Sequence, residues 1–254
     1  MTDWLSLTTE EFSRARIAVL PVAAVEQHGP HLPVGTDTYI AEAYLARVRA
    51  LLPEDLPVAF LPVQQVGASD EHRAFAGTLT LSPETALRAF IEIGESVHRA
   101  GINKLIIINS HGGNIALVDL AALQLRVRHG MVAVHTSWAR FGYPDGLFSD
   151  AEHTHGIHGG DIETALMLAA HPDLVRREKI ANFIPATCAM EQNYKYLRAD
   201  FPVGFGWMTQ DLNASGAVGD ASLATAAKGE AALEHGARAC VELLRDVERF
   251  ELTR

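Results

Sequence analysis

The stretch Lys104–Asn114 reads KLIIINSHGGN, and it decides the fold class. Leu105 and three consecutive isoleucines form an apolar run without alternation, the pattern of a strand buried on both faces. The run stops at Asn109, and Ala116 to Val127 then carries helical periodicity. A strand hidden on both faces needs helices above and below it, and so parallel neighbours joined by crossovers.

The flanking sequence repeats this unit. Arg16 to Val25 (RIAVLPVAAV) is a second apolar run of strand type, and Asp37 to Leu52 places Ile40, Ala43, Tyr44 and Val48 at helical spacing. Pro57 to Val66 reads as a strand. Ser82 is a good N-cap, with Pro83 at the first helical position and Glu84 in the first turn of a helix ending near His98 or Ala100. Met131 to Thr136 is a short strand, and a helix spans about Gly160 to Ala170. Residues 181 to 216 read as irregular, and Asp220 to Phe250 as one long Ala-rich helix. No repeat or linker interrupts the series, so residues 1–254 form one domain with a mostly parallel sheet between helices.

Composition narrows the function. A chain of 254 residues with 48% hydrophobic content buries a sizeable core without disulfides. A formal net charge of −10 opposes a nucleic-acid partner and an anionic membrane surface. Cys188 and Cys240 are too few for a secreted disulfide framework and are expected reduced, Cys240 on an apolar helix face. The opening MTDWLSLTTEEF lacks the basic and apolar regions of a signal peptide, and no run approaches a membrane span. The expected compartment is the cytoplasm.

Chemistry concentrates where strands end. Glu26 and His28 follow the first apolar run, and a strand continued to residue 28 points both side chains to one side. Open parallel sheets bind ligands at the carboxyl ends of their strands. Asp37, nine residues on, is either a ligand or a plain N-cap. His31 is either a contact near the site or an exposed imidazole. His111 ends the best strand, which puts it near Glu26 and His28 if the sheet is parallel. Gly112 and Gly113 let the backbone approach a ligand, with N–H groups available to an oxyanion.

Glu152 to Leu168 (EHTHGIHGGDIETALML) adds His153, His155, His158, Asp161 and Glu163. Imidazoles with carboxylates suit zinc, manganese or iron(II), while the competing reading is a solvated loop. Glu163 lies close to the apolar face of Ile162, Leu166 and Met167, where a charge needs a partner. His72 declares no chemistry by itself, and Asp220 reads as a cap for the last helix. The chain has no G-x-S-x-G elbow, Walker loop, H-E-x-x-H or paired C-x-x-C. The remaining Glu, His, Asp and His residues can bind one or two divalent ions, with Asp37 a natural bridge. Such a pair polarises a carbonyl and activates water without a side-chain nucleophile.

Five blocks in order, EQHGPHLPVGTD (Glu26–Asp37), AGTLTL (Ala76–Leu81), NSHGGN (Asn109–Asn114), HGGDIET (His158–Thr164) and GAVGD (Gly216–Asp220), carry a resemblance over nearly the whole chain. The sequence resembles the creatininase family of metal-dependent amide hydrolases. The resemblance implies a three-layer α/β/α sandwich with two divalent ions per chain (zinc, manganese or iron) at the carboxyl edge of the sheet. Glu26 and His111 would hold one ion, His28 the other, and Asp37 both. His158 would shuttle protons, Glu163 would be a ligand or a ligand's partner, and a water bridging the ions would be the nucleophile. A small-molecule amide substrate and a homo-oligomer, commonly a hexamer, are also implied.

Creatininases proper carry Tyr-Glu after the metal histidine, where this chain has Gly112-Gly113. Either Glu163 takes over, or the second ion site is weaker, and creatinine is disfavoured as substrate. The Gly-Gly form is shared with family members that deformylate formamides or process peptides. Trp138 and Trp207 either wall a pocket for a flat ring or simply pack. The expected function is hydrolysis of a cyclic or linear amide. The alternatives are a deformylase or peptide-processing peptidase of the same family, an inactive metal or small-molecule binding protein, or a metal-storage surface.

Overall fold

The computed structural model describes residues 2–252. Five strands, β1 (Thr2–Asp3), β2 (Ile17–Val22), β3 (Val58–Phe60), β4 (Lys104–Asn109) and β5 (Val132–Ser137), form a parallel sheet in the order β1-β3-β2-β4-β5. The helices are α1 (Thr36–Leu51), α2 (Pro83–Arg99), α3 (Ile115–His129), α4 (Asp150–His155), α5 (Asp161–Ala170), α6 (Ala186–Asn193), α7 (Thr209–Leu212) and α8 (Ala226–Arg249). Two further strands, β6 (Asn182–Phe183) and β7 (Gly219–Asp220), pair antiparallel away from the main sheet.

The apolar runs explain the layering. Successive strand side chains point to opposite faces, so Ile17, Val19, Ile106 and Ile108 enter one core while Ala18, Leu20, Leu105 and Ile107 enter the other. The first core is closed by Tyr44 of α1, Leu166 of α5 and Leu233 and Leu244 of α8. The second is closed by Phe90 and Val97 of α2 and by Val118 and Leu125 of α3. The fold is therefore the three-layer α/β/α sandwich expected from the sequence. Cys240 is buried on α8, and both cysteines are free. Among the described residues no helix is long and apolar enough to cross a membrane.

Several boundaries differ from the sequence reading. β2 ends at Val22, so Glu26 and His28 are carried by a loop and not by an extended strand. β3 covers only three residues before Pro62, which has no N–H for a ladder. The segment expected to be irregular holds α6, α7 and β6. Asp220 does not cap the last helix: its carboxylate accepts from Ser222 N at 3.1 Å in a preceding 3₁₀ turn, and Thr225 caps α8.

Two packing constraints fix α5, the helix that carries Glu163. The first is α8: a Cβ on Gly229 would overlap the carbonyl oxygen of Ala165. The second is Glu152 of α4, whose Oε1 accepts from Ile162 N in the first turn of α5 at 3.1 Å. Gly156 and Gly160 lie directly against that carboxylate, with no room for a side chain. Burial, with Asp161 and Glu163 nearby, pushes Glu152 up to about 7 from an ordinary 4.5.

Gly229→Ala adds a better helix former yet should destabilise the fold by about 1–3 kcal/mol through overpacking. A urea midpoint at or above wild type would contradict the contact. A carboxylate harder to ionise in the folded state loses stability as pH rises from its ordinary value through its folded value. Glu152→Gln should therefore match wild type below about pH 4.5 and exceed it in thermal midpoint above about pH 7. A pH-independent difference would contradict the raised value.

Candidate metal centre

β2 and β4 pair in register with Val22 opposite Asn109, so the loops leaving both strands start side by side. Asn114 ties three such loops together. Its Nδ2 donates to Ala23 O (3.1 Å) after β2, and its Oδ1 accepts from Ala68 N (3.0 Å) after β3. Asn109 shapes the turn after β4, its Oδ1 accepting from His111 N at 3.1 Å. The AGTLTL motif braces the same loops: Leu79 N donates to Val25 O (2.8 Å), Thr78 Oγ1 accepts from Gln27 N (3.2 Å), and Thr80 Oγ1 from Ser69 N (2.8 Å).

This framework gathers Glu26, His28, Asp37 and His111, all at most 5% exposed. His28 Nδ1–H donates to the main-chain oxygen of Glu26 at 3.0 Å, which turns Nε2 toward the carboxylates as the nitrogen that would bind an ion. That Nε2 lies 3.4 Å from Asp37 Oδ1 and 3.8 Å from Glu163 Oε2. His111 Nε2–H donates to Ala68 O at 2.8 Å, so its Nδ1 faces Glu26 Oε1 (3.1 Å) and Asp37 Oδ2 (3.7 Å). Two of the triads formed have Asp37 in common, Glu26–Asp37–His111 and His28–Asp37–Glu163, and another, Glu26–His28–His158, lies between them, each with ligand atoms within 4.8 Å of one another.

The buried atoms fit divalent ions. Glu26 Oε2, His28 Nε2 and Asp37 Oδ2 have no hydrogen-bond partner in the protein, a state native structures rarely leave uncompensated. Charge points the same way. Burial followed by the Glu26 carboxylate pushes Asp37 up to about 7. Burial alone would lower His28 and His111, but Asp37 acting on His28 and Glu26 acting on His111 outweigh it and raise both to about 10. Burial would raise Glu26, yet His111, His158 and His72 hold it well below the carboxylate range. The cluster thus demands positive charge, and mixed imidazole and carboxylate donors suit zinc, manganese or iron(II).

His158 stands at the rim. Its Nε2–H donates to Gln27 O at 2.6 Å, and its Nδ1 lies 3.7 Å from Glu26 Oε1. Burial, with His28 and His72 nearby, keeps it neutral, well below the ordinary imidazole range. Two cavities meet there, sharing His111, Gly112, Ile115, Ile157 and His158. The inner one, about 230 Å³, is walled by Trp138, Tyr143, Ser110 and Glu163. The outer one, about 830 Å³, is walled by Glu71, His72, Gly113, Phe205 and Trp207.

The sequence-expected residues divide. Asp37 is no cap: Gly35 holds that position, and Asp37 sits in the first turn of α1 facing both histidines. Gly112 and Trp138 line the inner cavity, and Trp138 also stacks on Tyr44 with centroids 4.3 Å apart. Trp207 walls the outer cavity and donates to Ala199 O at 2.9 Å. His31 is buried behind the cluster, bonded to Thr164 Oγ1 (2.9 Å) and stacked on Phe183. His155 bonds Thr187 and Glu191 of α6, and exposed His153 lies over Tyr143, so neither joins the cluster. Glu71 and His72 do join it. His72 Nε2 lies 3.4 Å from Glu26 Oε1, and Glu71 Oε1 lies 3.5 Å from His111 Nε2. The available signal was position, since both follow β3 just as Glu26 follows β2.

Comparison with known proteins agrees with this architecture. The creatininase (creatinine amidohydrolase) family model matches residues 3–244. The mycofactocin precursor peptide peptidase of Mycobacterium tuberculosis (strain ATCC 25618 / H37Rv) is 33% identical, covering 83% of this chain and 77% of that protein. The creatinine amidohydrolase of Pseudomonas putida is 30% identical, over 96% of this chain and 95% of that protein. A crystal structure of creatinine amidohydrolase superposes with TM-score 0.78 at 25% identity, covering 98% of this chain and 99% of that one. Creatininase is also solved in a Zn–Zn form of a mutant (TM-score 0.75, 26% identity, 96% and 97% covered) and in a manganese form (0.76, 25%, 96% and 98%). This chain belongs to the creatininase (creatinine amidohydrolase) family.

Proposed function

We propose that this protein is a metal-dependent hydrolase that cleaves the C–N bond of an amide. One observation carries the reading: a fully buried triad and one that reaches half-buried Glu163 share Asp37, hold unpaired ligand atoms, and open onto His158 at the junction of two cavities. Glu26, Asp37 and His111 would hold one divalent ion, and His28, Asp37 and Glu163 the other. Zinc and manganese are the first candidates, given the forms in which creatininase is solved. When bound, such ions polarise the amide carbonyl and lower the pKa of a coordinated water.

The chain's own residues supply the rest. His158, with its hydrogen committed to Gln27 O, keeps Nδ1 free to take a proton from the attacking water and return it to the leaving nitrogen. Glu163 is held by Gly159 N, which donates to its Oε2 at 2.6 Å, so the carboxylate is fixed from the amino end of α5. Gly112 borders both cavities with open space where a Cβ would stand, which leaves the backbone accessible to a substrate oxygen. Cavities on both sides of His158 fit a linear amide with a substituent on each side of the scissile bond. The creatinine and peptide substrates named for the two relatives support an amide as the substrate class.

Protein purified without a metal-affinity tag should carry about two tightly bound ions per chain by elemental analysis. His111→Ala should lose bound metal and hydrolysis of an amide panel together, and an active, metal-free variant would sink the reading. Glu163→Gln should retain the ion held by Glu26, Asp37 and His111 while losing the second, so stoichiometry drops from about two to about one. Two retained ions would remove Glu163 from the ligand set.

A further inference from the structure

Gln27 lies between two proposed ligands, and its side chain has only one workable orientation. Its Oε1 accepts from Gly29 N at 2.8 Å, and its Nε2 donates to Gly216 O at 2.8 Å. The same Nε2 lies 2.7 Å from His72 Nδ1. An amide nitrogen only donates, so His72 Nδ1 accepts. Thr209 Oγ1, 2.9 Å from that nitrogen, has the Glu71 carbonyl at 3.0 Å as an alternative acceptor for its hydrogen and requires none from the ring. A neutral imidazole that accepts at Nδ1 carries its hydrogen on Nε2. That Nε2 faces Glu26 Oε1 at 3.4 Å and Glu71 Oε1 at 3.9 Å.

By residue type alone, Glu26, Glu71 and His72 form a further possible cation site beside the two that share Asp37, with ligand atoms within 4.8 Å of one another. The tautomer argues against it, because the only ring nitrogen turned toward the carboxylates is an N–H. We infer that His72 is a positioning residue: Gln27 fixes its hydrogen on Nε2, and that N–H holds the Glu26 carboxylate for the ion shared with Asp37 and His111. The Glu26–Glu71–His72 cluster is then a hydrogen-bonding support and not a third ion site. This rests on the two-ion reading above.

The GAVGD motif acquires a purpose from the same contact. Gly216 has φ +87°, and a Cβ there would overlap Gln27 Oε1, so only glycine lets the amide reach its place. Gln27 thus orients two imidazoles. Its side chain turns the N–H of His72 toward Glu26 Oε1, and its main-chain oxygen takes the Nε2–H of His158 and leaves a lone pair facing the same oxygen. The carboxylate receives a donor on one side without losing the proton acceptor on the other.

The test combines ring-nitrogen NMR of selectively ¹⁵N-histidine-labelled wild-type protein with zinc titration against a chromophoric chelator. The spectrum should show His72 protonated on Nε2, and His72→Phe should bind as many ions as wild type with one site weakened about tenfold or more, the usual cost of losing a ligand's partner. His72→Gln, whose amide nitrogen falls near the position of Nε2, should recover most of that affinity. Protonation on Nδ1, unchanged zinc affinity in His72→Phe, loss of a whole ion in that variant, or a third ion in wild type would each overturn the inference. If His72→Phe fails to fold, the wild-type spectrum and Gln27→Met, which should scramble the His72 tautomer, decide the matter. Wild type that binds no zinc would overturn the two-ion reading itself. Two ions with unchanged affinity in His72→Phe would overturn only the role of His72.

Discussion

The site depends on the burial of two carboxylates without a lysine or arginine beside them. Glu26 and Asp37 are each 1% exposed, and the ion-pair partners described for them are all histidines. Removing such charges from water costs several kcal/mol per ion after relaxation, and neutral imidazoles offset little of it. In the protein alone the balance is met by protonating His28 and His111. Divalent ions would meet it with more charge in less space, and would also pair the oxygen and nitrogen atoms that have no partner. A cluster costly without a cation and satisfied by one would favour metal binding in the proposed centre.

A parallel sheet makes this concentration of charge possible. The ends of β2, β3 and β4 lie at one edge, and the loops leaving them bring Glu26 and His28, Glu71 and His72, and His111 to the same place. Loops of this kind would not hold ligand geometry by themselves. Asn114 locks three of them, the AGTLTL segment braces two, and α5 adds Glu163 from a helix clamped by Glu152 and by α8. The rigid layers set the distances while the loops supply the chemistry.

How much of this was legible in the sequence follows from the range of each interaction. KLIIIN marked β4 to the residue, because burial on both faces leaves a signal in consecutive positions. The same reasoning placed His111 beside Glu26 and His28. The loops were harder: Asp37 taken alone read more readily as a helix cap than as a ligand, and only its position within α1, facing two histidines, separates the readings. His72 and Glu71 left no local signature, since their partners Gln27, Thr209 and His111 lie from 40 to 137 positions away. Histidine density pointed partly the wrong way. Of the three histidines in Glu152–His158, only His158 reaches the cluster, because α4 turns His153 and His155 toward Tyr143 and α6.

Gly113 shows why local sequence comparison alone would misjudge the site. A glycine where creatininases proper carry glutamate reads as a lost ligand. Here a Cβ at residue 113 would meet the Ala68 carbonyl, would lie 2.5 Å from His111 Nε2, and would lie 2.7 Å from Glu71 Oε1. The space is occupied, so glycine at 113 is a packing requirement of the way Glu71 and the Ala68 carbonyl enclose His111. The ligand deficit is then judged at the other end of the cluster, where Glu163 Oε2 approaches His28 Nε2 from α5. In the proposed centre the carboxylate on the His28 side comes from a capped helix and not from the turn after β4. The open position in the turn is the preceding Gly112, which borders both cavities with nothing where a Cβ would stand, room that a side chain there would take from a substrate.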